Sequence, residues 1–143
     1  MMKNDNDLFF TCSLIEFIGR ECRQKRGDVV AKLGSGNIKR IYKYAGTLHC
    51  EPIAKVAEEY IKIAQIDKGD FDNISRCRYD VPDYWTIGEV YARLIEDVGK
   101  DVIDSIISVY ESWISDVISN YNSDFYYQSR EYIAECFQIG KVV

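Results

Sequence analysis

The sequence has little proline, a single histidine and no long apolar run. Two prolines among 143 residues, with 47% hydrophobic and 29% charged residues, exclude a disordered or collagen-like chain and indicate a globular one. No window of about 18 residues is free of charged and polar residues, which argues against a transmembrane helix. The opening segment, MMKNDNDLFF, carries acids where a secretion signal has a basic segment. We therefore expect a cytoplasmic protein.

Residue types that bind metals or act as nucleophiles are few and scattered. The five cysteines include no Cys-x-x-Cys pair, so they suggest neither a zinc site nor a disulfide framework. His49 stands beside Cys50, but neighbours on a helix point about 100° apart, so we interpret His49 as structural and keep the pair only as a polar site of interest. A phosphate loop and a calcium loop with its terminal glutamate are also missing. We expect a non-enzymatic protein without metal or cofactor.

Charge is segregated along the chain. Residues 20–43 contain eight basic residues and two acids, whereas residues 101–129 contain five acids and no base. The molecule should therefore have a basic end and an acidic end. Residues 67–85, where glycine, proline and repeated Asp and Asn interrupt the pattern, predict a seam within a single domain of residues 1–143. This seam separates an N-terminal basic half from a C-terminal acidic, aromatic-rich half.

Apolar residues recur every three or four positions, which predicts an all-α fold, a compact bundle of six to seven helices without significant sheet. In the N-terminal half we expect a helix over residues 8–22 and a short helix capped by Asp28. The segment GSGN, residues 34–37, predicts a turn before a third helix over residues 38–45. Pro52 suits the first position of a fourth helix.

The C-terminal half gives three further helical signals. Thr86 and Glu89 have the spacing of a capping box, and Trp85 before them suits a hydrophobic staple. Residues 102–121 form the longest periodic stretch and predict the longest helix. Ser129 is expected to cap the last helix.

Residues 29–50, VVAKLGSGNIKRIYKYAGTLHC, partly fit a DNA-binding helix-turn-helix. Leu33 and Gly34 suit the first helix and its turn. However, alignment on Gly34 puts Arg40 and Lys43 where the second helix should be buried. We therefore favour a helical corner with a solvated basic face. The alternative is a DNA-binding regulator that uses residues 28–46, with these candidate contacts: Lys32, Lys39, Arg40 and Lys43.

A second resemblance covers residues 8–61. The order SLIEFIG…VVAKLG…NIKRIYKYAGTLHCEPIAKVAEEYI, with a Leu48-His49 pair between two apolar helices, is similar to a family of short bacterial helical domains of unknown function. Here the segment CEP, residues 50–52, replaces small or polar residues after that pair. The resemblance implies a cytosolic helical module, sometimes encoded beside toxin-like genes, with no established catalytic residues.

These features favour a protein-interaction or regulatory module, of an antitoxin-like kind. Its partner would be another protein or a second copy of the chain, either bound through the aromatic-rich surface of residues 79–132 or oriented by the charge polarity of the molecule. Nucleic acid is the less favoured partner, and no membrane contact is expected.

Overall fold

The structure is a computed structural model that describes residues 5–143. Residues 1–4, the start of the segment MMKNDNDLFF on which the expectation about secretion was based, lie outside the described residues. The elements are α1 (Asn6–Cys22), α2 (Arg26–Leu48), α3 (Ile53–Ala64), α4 (Tyr84–Val98), α5 (Val102–Tyr110), α6 (Trp113–Ile118), a 3₁₀ helix (Phe125–Tyr127) and α7 (Arg130–Ile139). Residues 5–143 contain no strand, so the predicted all-α multi-helix bundle is confirmed. Over the same range, no helix has the length and apolar content that a membrane crossing requires.

Helix α1 lies at the centre of the bundle. It packs against α2, α3 and α4, and even its polar residues Thr11, Ser13 and Glu16 are buried. A helix that is apolar nearly all round is expected in such a position. The buried apolar cluster around α1 draws on both sides of the irregular connection between α3 and α4, with Val56 before it and Ile87 after it.

Glycine sets the distance between α1 and α4. A Cβ atom added to Gly88 would lie 2.2 Å from Oγ and 2.8 Å from Cα of Ser13. Because part of that obstacle is backbone, no side chain could move aside to make room. Gly88 therefore allows the two helices to approach closely.

Helix α2 consists of two helical segments on either side of Gly34, as the sequence predicted, but its start and the extent of its turn differ from the prediction. It begins at Arg26, so Asp28 lies inside the helix and is not its cap. The predicted turn at residues 34–37 is wrong in extent, because only Gly34, at φ 73°, has a non-helical backbone. Across this break, Asn37 Nδ2 donates a hydrogen bond to the carbonyl oxygen of Leu33 at 2.8 Å. One glycine and one side chain thus replace a turn of four residues.

Helices α3 and α4 also begin at other residues than expected. Pro52 is the N-cap of α3 and not its first helical residue. The predicted capping box is wrong, because Asp83 caps α4 and its Oδ1 accepts a hydrogen bond from the backbone N–H of Thr86 at 2.7 Å. Trp85 consequently lies inside α4, where its ring centroid is 5.4 Å from that of Phe9. An aspartate three residues upstream supplied the cap that the sequence pattern assigned to a threonine.

The predicted long helix over residues 102–121 is wrong, because the chain breaks between α5 and α6. Ser112 Oγ accepts a hydrogen bond from the backbone N–H of Ile114 and donates one to the carbonyl oxygen of Val109 at 2.7 Å. A serine side chain that bonds both ways competes with the helical hydrogen bonds. Ser129, by contrast, caps α7 as predicted, since its side chain accepts from the backbone N–H of Tyr132.

Candidate functional site

A groove lies between the outer face of α4 and the segment that runs from the 3₁₀ helix into α7. We call it the tyrosine groove and define it by Thr86, Val90 and Leu94 on α4 and by Tyr126, Tyr127 and Ile133 opposite. The α4 residues are four positions apart, the spacing of one helix face. The volume of the groove is about 220 Å³. Small-molecule sites usually have roughly 300–1,000 Å³, so this groove suits one anchoring side chain better than a whole ligand.

The charged residues around the tyrosine groove are paired with one another. Arg93 lies 3.4 Å from a carboxylate oxygen of Glu89, one turn away. Arg130 donates two hydrogen bonds to Asp97, at 2.9 and 2.8 Å, and a third to Glu96 at 3.2 Å. The hydrogen bonds to Asp97 raise the pKa of Arg130. The groove therefore combines apolar and aromatic side chains with charged ones, and each of its arginines is balanced by a carboxylate.

Three tyrosine rings extend from the core to the rim of the groove. The centroid of the Tyr126 ring lies 5.8 Å from that of buried Tyr121 and 5.0 Å from that of Tyr127, both in edge-on geometry. Tyr127 is 67% exposed. An aromatic side chain with such exposure offers a large, rigid contact area that the fold itself does not use.

A buried ion pair between Glu16 and Arg26 lies next to Tyr121, the innermost of these three rings. Glu16 and Arg26 have fully buried side chains, and Nε of Arg26 donates to Oε1 of Glu16 at 2.9 Å. The other carboxylate oxygen accepts hydrogen bonds from Arg20, at 2.7 Å, and from the hydroxyl of Tyr121. Burial alone would raise the pKa of Glu16, but Arg26 and then Arg20 hold it below its ordinary value. The carboxylate is therefore charged and fully hydrogen-bonded.

The same ion pair fixes the connection between α3 and α4. Arg26 donates to the carbonyl oxygen of Gln24 at 2.8 Å and to Oδ1 of Asn73 at 3.1 Å. Asn73 in turn donates to the carbonyl oxygen of Ser119 at 2.9 Å. Sequence reasoning missed this network. The one available signal was Glu16, which interrupts the apolar segment SLIEFIG, whereas nothing near Arg26 distinguished it from the other basic residues.

His49 and Cys50 lie exposed at the end of α2. Nε2 of His49 is 4.0 Å from Sγ of Cys50, and no carboxylate within residues 5–143 hydrogen-bonds to the ring. The pair thus has no group that would orient the imidazole as a base. In the part of the chain that the structure describes, no three His, Cys, Asp or Glu residues cluster as metal ligands would.

The structure separates the four candidate DNA contacts. Lys39, Arg40 and Lys43 are exposed on the part of α2 that follows Gly34, and across residues 5–143 none of the three forms an ion pair. Lys32 is exposed on the part before Gly34 and borders a depression shared with Asp28 and Asp67. In the helix-turn-helix alignment, Arg40 and Lys43 would occupy buried positions, yet here both are exposed.

Known proteins give no further guide to the site. No family model, curated protein or solved structure matches this chain. The resemblance of residues 8–61 to a family of bacterial helical domains therefore stays a prediction.

Proposed function

We propose that this protein is a non-enzymatic protein-interaction module that receives a bulky apolar side chain of a protein partner in the tyrosine groove. The observation that carries the proposal is Tyr127, which stands 67% exposed at the rim of a groove that Val90, Leu94 and other apolar side chains help to line. Aromatic side chains, with tyrosine prominent among them, are enriched at protein interfaces, and anchors of this kind dominate binding energy.

The size and charge of the groove support a side-chain anchor. Its volume of about 220 Å³ is below the range of small-molecule sites, and its arginines are already paired with carboxylates. A charged ligand would have to compete with those pairs. An apolar anchor needs no such exchange, because it gains from the removal of Val90 and Tyr127 surface from water.

We place this module in the cytoplasm, in a regulatory and antitoxin-like role. All five cysteines carry free thiols, and Cys12, Cys22 and Cys136 among them are buried, which is typical of proteins in a reducing compartment. The regulatory role rests on the resemblance of residues 8–61 alone.

The test is selection from a displayed library of random peptides on the immobilised protein, followed by calorimetric titration of the enriched peptides. We expect these peptides to share a large apolar residue. Tyr127→Ala should weaken their binding by about 30-fold or more, the effect of losing a hot-spot residue. Thr86→Arg, which puts a long side chain at the mouth of the groove, should abolish it.

The matched control is Tyr44→Ala, since Tyr44 is 51% exposed but lies on α2, away from the groove. It should leave peptide affinity unchanged. If no peptide is enriched, or if the enriched peptides bind the Thr86→Arg and Tyr127→Ala variants as tightly as the original protein, the proposal is wrong.

A further inference from the structure

A cluster of three cations on α2 is independent of the tyrosine groove. Lys39 and Lys43 are four residues apart, and Arg40 and Lys43 are three apart, so all three share one face of the helix. We call these three residues the basic face. All are exposed, and no carboxylate within residues 5–143 pairs with any of them. Their charge is therefore available to a partner.

Most of the residues that surround the basic face have small side chains or none. Gly36 and Gly46 are exposed, and a Cβ atom on either would have no other atom within 4 Å. Ser35 and Thr47 are further small, exposed neighbours, and Tyr44 is a large exposed side chain at the edge of the face. A partner can consequently approach the helix closely enough for each cation to reach it, without displacing a large side chain.

The chemistry of this face favours nucleic acid over an acidic protein. Lysine and other charged residues are depleted at the centres of protein interfaces, which are apolar and aromatic. Protein–DNA interfaces are much more positively charged and wetter. The centre of the basic face is wholly cationic, and the one large apolar side chain near it, Tyr44, stands at its edge with Nζ of Lys43 5.5 Å from its ring.

The spacing also suits a phosphate backbone. Lys39 and Lys43 are about 6 Å apart along the helix, at about 1.5 Å per residue. Neighbouring phosphates of one DNA strand are separated by a comparable distance along the sugar-phosphate backbone, so the two lysines can contact adjacent phosphates. We propose that the basic face binds the phosphate backbone of duplex nucleic acid, without reading its sequence.

Lys32 does not belong to this surface. It lies before the non-helical backbone at Gly34 and borders a depression that Asp28 and Asp67 also line, so its surroundings are more acidic than those of the basic face. This break in the helix thus divides a run of basic residues that the sequence alone would treat as one. This difference provides a matched control, because Lys32→Ala removes the same charge from the same helix.

The test is fluorescence anisotropy of a labelled DNA duplex, titrated with the full chain over a range of salt concentrations. Three phosphate contacts predict a slope of about −2.7 for the logarithm of the association constant against that of salt, or roughly 40-fold weaker binding at 200 than at 50 mM. Lys39→Ala, Arg40→Ala and Lys43→Ala should each reduce that slope by about 0.9. Lys32→Ala should change neither the affinity nor the slope.

Several outcomes would overturn the proposal. Absence of binding at about 25 mM salt, where backbone contacts are strongest, would exclude a nucleic-acid surface. Binding of labelled poly-L-glutamate in place of the duplex would assign the face to an acidic protein. An affinity that differs by about tenfold or more between two unrelated sequences would indicate base reading. If Lys32→Ala and Lys43→Ala reduce the affinity for the duplex equally, the binding reflects general attraction between the protein's positive charges and DNA and not a defined surface.

The duplex-binding test of the basic face can be distinguished from the peptide-binding test of the tyrosine groove. The variants at residues 39, 40 and 43 touch no groove residue, and Tyr127→Ala should leave duplex binding intact. Because every substituted side chain on α2 is exposed, circular dichroism should show the same helix content in all variants.

Discussion

Replacement of Arg26 by methionine tests whether the Glu16–Arg26 pair is as buried as the structure indicates. Both side chains are fully buried, and the guanidinium makes two hydrogen bonds to the carboxylate, at 2.9 and 3.0 Å. Removal of one partner from a buried pair leaves an uncompensated charge, which costs about 3–5 kcal/mol. Arg20 still bonds Glu16 at 2.7 Å, so we expect the lower end of that range.

A loss of about 3 kcal/mol is a large share of the 5–15 kcal/mol that usually stabilises a domain. It should lower the melting temperature by roughly 10 °C in a chain of this length. Urea unfolding followed by circular dichroism would measure it. The double variant Glu16→Met, Arg26→Met should lose less than the two single variants together, because neither charge is left unpaired.

The same pair predicts how stability depends on pH. In the folded protein the pKa of Glu16 lies below its ordinary value, so this carboxylate stabilises the fold above about pH 4.3 and that contribution is lost as the pH falls further. Without Arg26, burial should instead raise the pKa of Glu16, and protonation should then favour the folded state. The stability difference between the original protein and Arg26→Met should therefore shrink between about pH 6 and pH 3. A cost below about 1 kcal/mol, or a difference that stays constant with pH, would refute the reasoning.

Two further predictions concern glycines and use the same unfolding assay. Gly88→Ala should destabilise the protein by about 1–3 kcal/mol or more, because its Cβ would meet the backbone of Ser13, whereas Gly46→Ala, in open space on a helix, should stabilise it by up to about 1 kcal/mol. Gly34→Ala should cost about 1–3 kcal/mol, since φ 73° with ψ 166° is a backbone conformation that essentially only glycine adopts, although nothing crowds the position. Equal effects at positions 88 and 46 would show that α1 and α4 are not in close contact.

Local patterns in the sequence predicted helices well and their ends poorly. The apolar spacing of α1 places Leu8, Ile15 and Ile18 in the core, and all three are fully buried. The break at Ser112 could not be anticipated, because that serine stands among several others on what looked like one polar helix face. Only its two hydrogen bonds distinguish it, and they depend on the backbone around it.

The candidate binding surfaces could likewise be predicted only in part, because they depend on contacts between residues far apart in the sequence. Aromatic density marked residues 79–132 as an interaction region, but the tyrosine groove exists only because α4 and the segment before α7 lie side by side. The Glu16 network joins residues up to 105 positions apart, a separation at which no spacing rule applies. Of the four candidate DNA contacts that the sequence named, the non-helical backbone at Gly34 separates Lys32 from the other three, which share one helical segment.

Side-chain contacts connect the buried Glu16 network to the tyrosine groove. A substitution in the network can therefore change peptide binding indirectly. Tyr121 donates its hydroxyl to Glu16 and packs edge-on against Tyr126, whose other neighbour is Tyr127. Loss of Arg26 would remove two of the hydrogen bonds that position the carboxylate bonded to Tyr121, and so would disturb the wall of the groove as well as the core. Reduced peptide binding in Arg26→Met would then report on the position of Tyr126 and not on direct contact. Tyr127→Ala removes a ring that the core does not need, so it alone isolates the groove's contribution to binding.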